Sequence, residues 1–518
     1  MSVSFSPLSN FGYLGLSAQT DDNPVKPSTF IRIMSEGLKP KYNVQPLQEV
    51  SGSRERLIRN IQDKIEMDGP IEFNVEDKGI YHFLRSFHGN ATKQTVATGV
   101  YRYVLQITNT TKPYTIDVRP GDAPWVHRFW GAQVVKLNYS RNGNAIKGQV
   151  QIMPTKAFTV AAVTTDASSG VTLLVDQTSG LTTSDTLVVI DKSNGSTVKG
   201  ELGITSVDSE NQLTVSTIGF SIVAGDLIGI KAAAVTDASY NQNPPFQFMN
   251  GTAVYTGADI DNTVEEEKED LELETMNDVD PRWTSGPNQI NRYPAEILIK
   301  GYEASGKITK WYDGQSKISK LRNNEHIALR VVMNGPAAIT TNSATKARSN
   351  FGGVNGFYVE AATAGKAGND LNITIVMNST DSLAASKSGN NILLKLANTT
   401  MSNNTGTLIA AALDALTGVD AGANGTGAQQ FTSADVLSNT NLGFHSSGTN
   451  VVGSDANTKP YLQYDFASAA LDPFFPNLKE NEIIPQDVPL KFYVDSNGSN
   501  IQRKNWSCRV FLVTGESY

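Results

Sequence analysis

The chain has 518 residues with a formal net charge of −8, one cysteine and five histidines. That length accommodates roughly three domains and a sizeable buried core. The mild acidity argues against a basic nucleic-acid-gripping face, and a single cysteine excludes an internal disulfide framework. Abundant Gly, with many Asn, Ser and Thr, suits strands and turns better than a helical bundle.

In chain order, residues 1 to about 29 are polar, with Asp21, Asp22, Pro24 and Pro27, and read as an extended arm rather than a folded start. They show no basic n-region with an apolar core, so no signal peptide is expected. No apolar run of about 18 residues occurs anywhere, so no transmembrane helix is expected. A strand is predicted from Phe30 to Met34. From Ile65 to Val75, apolar residues alternate with Glu66, Asp68, Glu72 and Asn74, the period of a strand with one buried face and one acidic face. Pro70 within it suggests an edge or a bulge. Ile80, Phe83, Leu84 and Phe87 then recur as one stripe of a short helix, with Asp77 as its cap and Gly89 as its stop.

Tyr101, Tyr103, Leu105 and Ile107 alternate again. Val135 to Tyr139 and Ile146 to Met153 flank Asn142-Gly143, a hairpin signal. At about residue 157 the aromatics thin out. Residues 157–236 carry short predicted strands at Val171–Val175, Thr186–Ile190, Leu213–Ser216 and Leu227–Ile230, and read as an inserted small β-barrel or sandwich. The aromatic texture resumes at Phe246. A dense acidic run over 259–280 follows, then strands around Ile297–Trp311 and His326–Met333. Residues 340–455 form a second aromatic-poor stretch. Strands are predicted there at Phe357–Val359, Ile373–Val376 and Ile392–Leu396, with a short helix after Thr405, and the stretch reads as an inserted α+β domain. Residues 456–518 return to the first texture, with Val488 to Val494 alternating and a last strand at Cys508–Val513.

The fold expected is therefore mainly β. One core is built from 1–156, 237–339 and 456–518, with inserts at 157–236 and 340–455 in exposed loops.

No enzyme signature stands out. The histidines at 82, 88, 127, 326 and 445 lack metal-ligand spacing, and there is neither a P-loop nor a nucleophile elbow. The AGKAGND segment at 364–370 reads as a turn. Cys508, within an apolar run, reads as a small buried hydrophobe. No catalytic residue, metal ligand or cofactor is expected.

Several segments carry a family resemblance. FIRIMSEGLK followed by SGSRERLIRNIQDKIEMDGPIEFNVEDKGIYHFLRSFHG resembles the N-terminal half of bacteriophage tail tube proteins. FWGAQVVKLNYSRNGNAIKGQVQIM resembles that family's next hairpin, residues 246–333 its second half, and VPLKFYVDSNGSNIQRKNWSCRVFLV its closing hairpin. The resemblance covers roughly 300 residues in the order of elements, and the inserts depart from it. It implies a tail-tube-type β-barrel or sandwich core with a short packing helix. It implies homo-hexameric rings stacked into a tube through which genome DNA and a tape measure protein pass without specific binding. It also implies partners at the tail tip or baseplate and at the tail terminator, and a place in the virion tail after synthesis in the bacterial cytoplasm. No membrane partner is implied.

On this reading Glu66, Asp68, Glu72 and Glu76 are candidates to face the lumen; an ordinary solvated strand face is the alternative. Arg54, Arg56 and Arg59, with Glu265, Glu266 and Glu267, are candidates for contacts between rings; flexible solvated loops are the alternative. Inserts of this bulk on the outside of a tube would obstruct a contractile sheath, so a long non-contractile tail is expected. The rival readings are another virion part, such as a baseplate, distal tail or decoration protein, and a carbohydrate-binding adhesin.

Overall fold

The computed structural model describes residues 12–48, 57–97, 99–108, 111–121, 123–195, 197–236, 240, 243–249, 251–257, 260, 263–266, 268, 270–283, 294–311, 327–339, 343–442, 451–455, 458–471, 485–492 and 508–514. The protein is mainly β, with 56% strand, 9% helix and several antiparallel sheets; among the described residues no sheet closes into a barrel. No helix among them is long and apolar enough to cross a membrane. The chain divides into two compact units, one of residues 1–90, 107–243 and 272–305, the other of 91–106, 244–271 and 306–518.

The first unit is organised around two long strands. The acidic strand, Leu57–Asn74, obeys its sequence period: Ile65, Met67, Ile71 and Phe73 are buried, as is Val75 just beyond, while Glu66, Asp68 and Glu72 point to the other face. The helix Asp77–His88 lies over the buried face, with Phe73 and Phe83 ring centroids 5.0 Å apart. Its whole apolar stripe is at most 2% exposed, and each such side chain contributes about 1.5–3 kcal/mol of transfer free energy. The helix boundary differs from expectation by one residue. Glu76 is the cap, in extended backbone, and Asp77 is the first helical residue. Gly89 ends the helix at φ +91, a conformation that glycine alone adopts cheaply.

The second organising strand, Trp125–Asn142, is bent and serves two sheets. Residues 127–132 pair with Tyr114–Arg119 on one side, and 128–130 pair with Lys156–Phe158 on the other. Residues 133–142 pair with Ala145–Met153, which pairs in turn with 69–74 of the acidic strand. The bend falls at Gly131, whose φ is +59; a Cβ there would lie 2.0 Å from Thr155 Oγ1. The hairpin turn after this strand is Gly143-Asn144, because Asn142 still pairs with Ala145. This is one residue later than the Asn-Gly signal suggests.

Tyr13–Ala18 is a strand paired with Thr29–Ile31 and with Tyr114–Arg119, with Tyr13, Leu14 and Leu16 buried. The described part of the expected N-terminal arm is thus folded into the sheet, because its short apolar run is buried on both faces, which outweighs its polar surroundings.

Residues 161–231 form short antiparallel strands in which Leu227–Lys231 pairs with both Ala161–Ala162 and Thr186–Ile190. Their aliphatic core is continuous with Tyr13, Val126, Trp130 and Phe158 of the host sheet.

In the second unit the strand order is Thr263–Glu266, Thr252–Gly257, Ile327–Asn334, Tyr461–Leu471, Cys508–Thr514 and Val100–Ile107, all antiparallel. Cys508 is buried there. Residues 345–442 have their own apolar core under a three-stranded and a four-stranded sheet, the latter with one parallel pair. The helix Gly406–Asp414 starts at Thr405, whose hydroxyl accepts from the Leu408 N–H. The Gly-rich 364–370 segment is a turn carrying one short 3-10 piece, Lys366–Asp370.

Candidate functional site

A continuous polar face covers the first unit's sheet on the side opposite the helix. Residues directly opposite one another in an antiparallel pair share a face, so the registers define it. Glu72 lies opposite Gln149, which lies opposite Asn138, which lies opposite Glu274. One row along, Gln151 lies opposite Lys136, and Lys136 opposite Met276. On the far side Asp68 and Glu66 lie opposite Lys39 and Lys41.

The acidic residues on this face are held by partners. The Asp68 carboxylate accepts from Lys41 Nζ and, at 3.0 Å, from Gln151 Nε2. The Glu72 carboxylate accepts from Lys147 Nζ at 2.8 Å, Ser35 Oγ at 3.0 Å and Gln149 Nε2 at 3.2 Å. The Lys147 hydrogen bond is the main cause that holds the Glu72 carboxyl below its ordinary range. Lys136 pairs with Glu274 at 2.7 Å. The four carboxylates Glu66, Asp68, Glu72 and Glu274 are matched by the four lysines Lys39, Lys41, Lys136 and Lys147, so the described part of the face is polar, charge-balanced and closely bonded. Such a face gives a passing polyanion no concentrated positive charge to grip.

Glu76 does not continue the row; it is the cap at which the strand gives way to the helix. The sequence missed the partners of the acidic row. Lys147, Gln149 and Gln151 do alternate in their own strand. That strand, however, meets the acidic strand across an intervening helix, and no local signal gives the register.

Beyond the sheet, the acidic strand continues as one half of a two-stranded ribbon. Residues 57–68 pair with Lys39–Gln48, whereas Ala145–Met153 begins to pair only at Gly69. At the branch, the Gly37 N–H donates to Pro70 O at 2.8 Å, and a Cβ on Gly69 would lie 2.4 Å from Gly37 O. Pro70 sits opposite Gln151 in an unbroken register, so it marks neither a bulge nor a free edge; Gly37 covers its outer side.

Arg54, Arg56 and Glu267 lie outside the described residues. Arg59 is in the ribbon opposite Leu47, with its side chain outside the described set. Glu265 and Glu266 lie on the edge strand Thr263–Glu266 of the second unit, opposite Tyr255 and Val254, and the Glu266 carboxylate accepts from the Thr256 hydroxyl. The acidic run over 259–280 therefore contributes strands, not the solvent loop that its charge suggested, because Leu271 and Leu273 alternate within it and are buried.

A second cluster was not legible in sequence. Arg128 on the bent strand is fully buried, and its five N–H donors are all used. Nε and Nη2 donate to Asp117 at 2.8 and 2.9 Å. Nη1 and Nη2 donate to Asp185 at 2.6 and 3.0 Å, and Nη1 donates to Gly180 O at 3.2 Å. Asp117 belongs to the host sheet and Asp185 to the 157–236 segment, so the network fastens the two together.

Among the described residues no group of three or more His, Cys, Asp or Glu side chains is placed to hold a metal ion. Comparison with protein-family models finds no match to the chain, and comparison with curated proteins finds none.

Proposed function

We propose that the chain is the structural subunit of a bacteriophage tail tube. Copies join into rings, six to a ring, and the rings stack around a channel for genome DNA. The core is of the tail-tube type, and the protein has no catalytic role and takes no cofactor. The observation that carries this reading is the continuous polar face, buried on its reverse and tied down by ion pairs and amides. A channel wall needs such a surface, because DNA must slide past it without being held.

The two-stranded ribbon supports the same reading. An isolated two-stranded ribbon is marginal in water, and its natural stabilisation is packing against another copy. A ribbon on one ring reaching the next gives heterologous contacts that propagate as a stack. The residues between the ribbon strands include Arg54 and Arg56, which fit acidic groups on a neighbour. Tip, terminator and tape measure proteins are the further partners, and a long non-contractile tail is the setting.

A labelling experiment tests the placement of the face. Cysteine is introduced at Gln149, and assembled particles are treated with a small maleimide and with a bulky polymer-linked maleimide. A channel position reacts with the small reagent only, with the bulky one excluded. Equal reaction with both on intact particles would place the face outside and remove the main support for the proposal.

A further inference from the structure

The second unit contains a cleft that the tube reading does not use. It lies between the sheet and the loops that return from residues 345–455, and it has two lobes of about 370 and 330 Å³ that share Asn334, Lys366 and Tyr461. That is the size range of small-molecule sites.

The floor is one face of the sheet, as the registers show. Tyr255, Arg330, Asp465 and Arg509 form one cross-strand row, and Asn334, Tyr461, Val513 and Arg102 form another. The walls are fixed in advance. Arg330 donates to Asp465 at 2.8 and 3.1 Å and to Asp370 at 3.0 and 3.2 Å. Asn369 and Gly453 exchange two hydrogen bonds of 2.8 Å each. A pre-organised cleft does not have to meet an ordering cost on binding.

Its chemistry is selective. Among the described residues, Arg102, Arg330, Lys366 and Lys459 line the cleft against the carboxylates of Asp370 and Asp455, and the Arg509–Asp465 pair stands behind them. The surplus is positive, which favours an anion. The three carboxylates make a doubly charged group such as a phosphate monoester costly by like-charge contact. The guanidiniums of Arg330 and Arg102 are already engaged, the first by Asp465 and Asp370 and the second by Gln94 at 2.9 and 3.0 Å, so the ammonium groups of Lys366 and Lys459 at the mouth are the cations that meet a ligand carboxylate. The mixed donors and acceptors, with the amides of Asn390 and Gln463, suit hydroxyls, which both donate and accept. The Tyr255 and Phe511 side chains add apolar surface for a ring face.

We propose that this cleft binds a sugar unit bearing a carboxylate. The inference concerns a single chain and stands apart from the tube reading.

The test uses the full chain and saturation-transfer NMR. Galacturonate, glucuronate and N-acetylneuraminate are titrated against galactose and glucose as neutral counterparts. At least one acidic sugar is expected to bind with Kd on the order of 1 mM, as befits a single sugar unit, and at least tenfold tighter than the neutral sugars. Lys366 is half-exposed at the cleft mouth, so Lys366→Glu leaves the fold intact by circular dichroism and weakens the acidic sugar at least tenfold. Three results would each overturn the proposal: saturation from none of the three acidic sugars, equal binding of acidic and neutral partners, or unchanged affinity in the well-folded Lys366→Glu variant.

Discussion

Replacing Arg128 by Met removes the cation that bonds both Asp117 and Asp185 in the buried network. The side chain is 0% exposed, and the two carboxylate side chains are 8% and 0% exposed, so water cannot take over the lost bonds. Removing one partner of a buried ion pair costs about 3–5 kcal/mol, because the opposite charge stays behind without compensation. Here two carboxylates are left facing one another, which places Arg128→Met at the upper end. Asp185→Asn is milder: Arg128 keeps Asp117, and the new amide still fills the space near Thr182. The loss should be local, since Asp185 belongs to the 157–236 segment and Asp117 to the host sheet. Hydrogen exchange read by mass spectrometry separates the two. Amides of Thr186–Ile190 should exchange faster in Arg128→Met by a factor of at least 100, equivalent to about 3 kcal/mol. Amides of the helix Asp77–His88 should change far less. A change of less than about tenfold at Thr186–Ile190 would refute the claim that this network fastens the segment to the sheet. So would equal effects of Arg128→Met and Asp185→Asn.

Other outcomes follow from the same structure. Gly131→Ala should destabilise the first unit by about 1–3 kcal/mol in thermal or urea unfolding, since φ is +59 and the new methyl meets Thr155; Gly143→Ala, with open space around it, should cost less. His82 and His88 are pushed down to about 4 and about 3, chiefly by burial, so the folded state favours their neutral forms. Their contribution is complete above the unfolded value of about 6.5 and is lost as pH falls from there toward 4 and 3. Each contributes a slope approaching roughly 1.4 kcal/mol per pH unit. His88→Leu should flatten the pH dependence of unfolding by one such share, and an unchanged slope would contradict the burial argument. Asp68→Lys with Glu72→Lys should leave the subunit folded, within about 1 kcal/mol. Particles assembled from it should retain DNA at low salt and release it as salt rises, whereas unaltered particles should not; identical retention by both would count against a lumenal face.

What the sequence made legible was local periodicity. The alternation from Ile65 to Val75, the stripe Ile80–Phe87 and the run Thr186–Ile190 appear in the structure where their patterns placed them, because burial on one face is written directly into residue order. Boundaries moved by a residue at the Glu76 cap and at the Gly143-Asn144 turn, where backbone conformation rather than side-chain chemistry decides. What stayed hidden depends on contacts distant in sequence. Arg128 meets Asp185 across 57 positions and Arg330 meets Asp465 across 135, and nothing near either arginine marks it as buried. Arg102 stands between Tyr101 and Tyr103 in an alternating strand, yet it is 2% exposed, with its guanidinium held by Gln94. The acidic row was found, but its lysine and glutamine partners were not, since their register is set by strands that are not neighbours in the chain.

The central claim is that this chain assembles with itself around a channel. Negative-stain electron microscopy of the purified chain, concentrated at neutral pH alone and with a tail-tip template, tests it most directly. The account predicts stacked rings with a central channel under at least one of the two conditions. Particles that remain monomeric under both would contradict it.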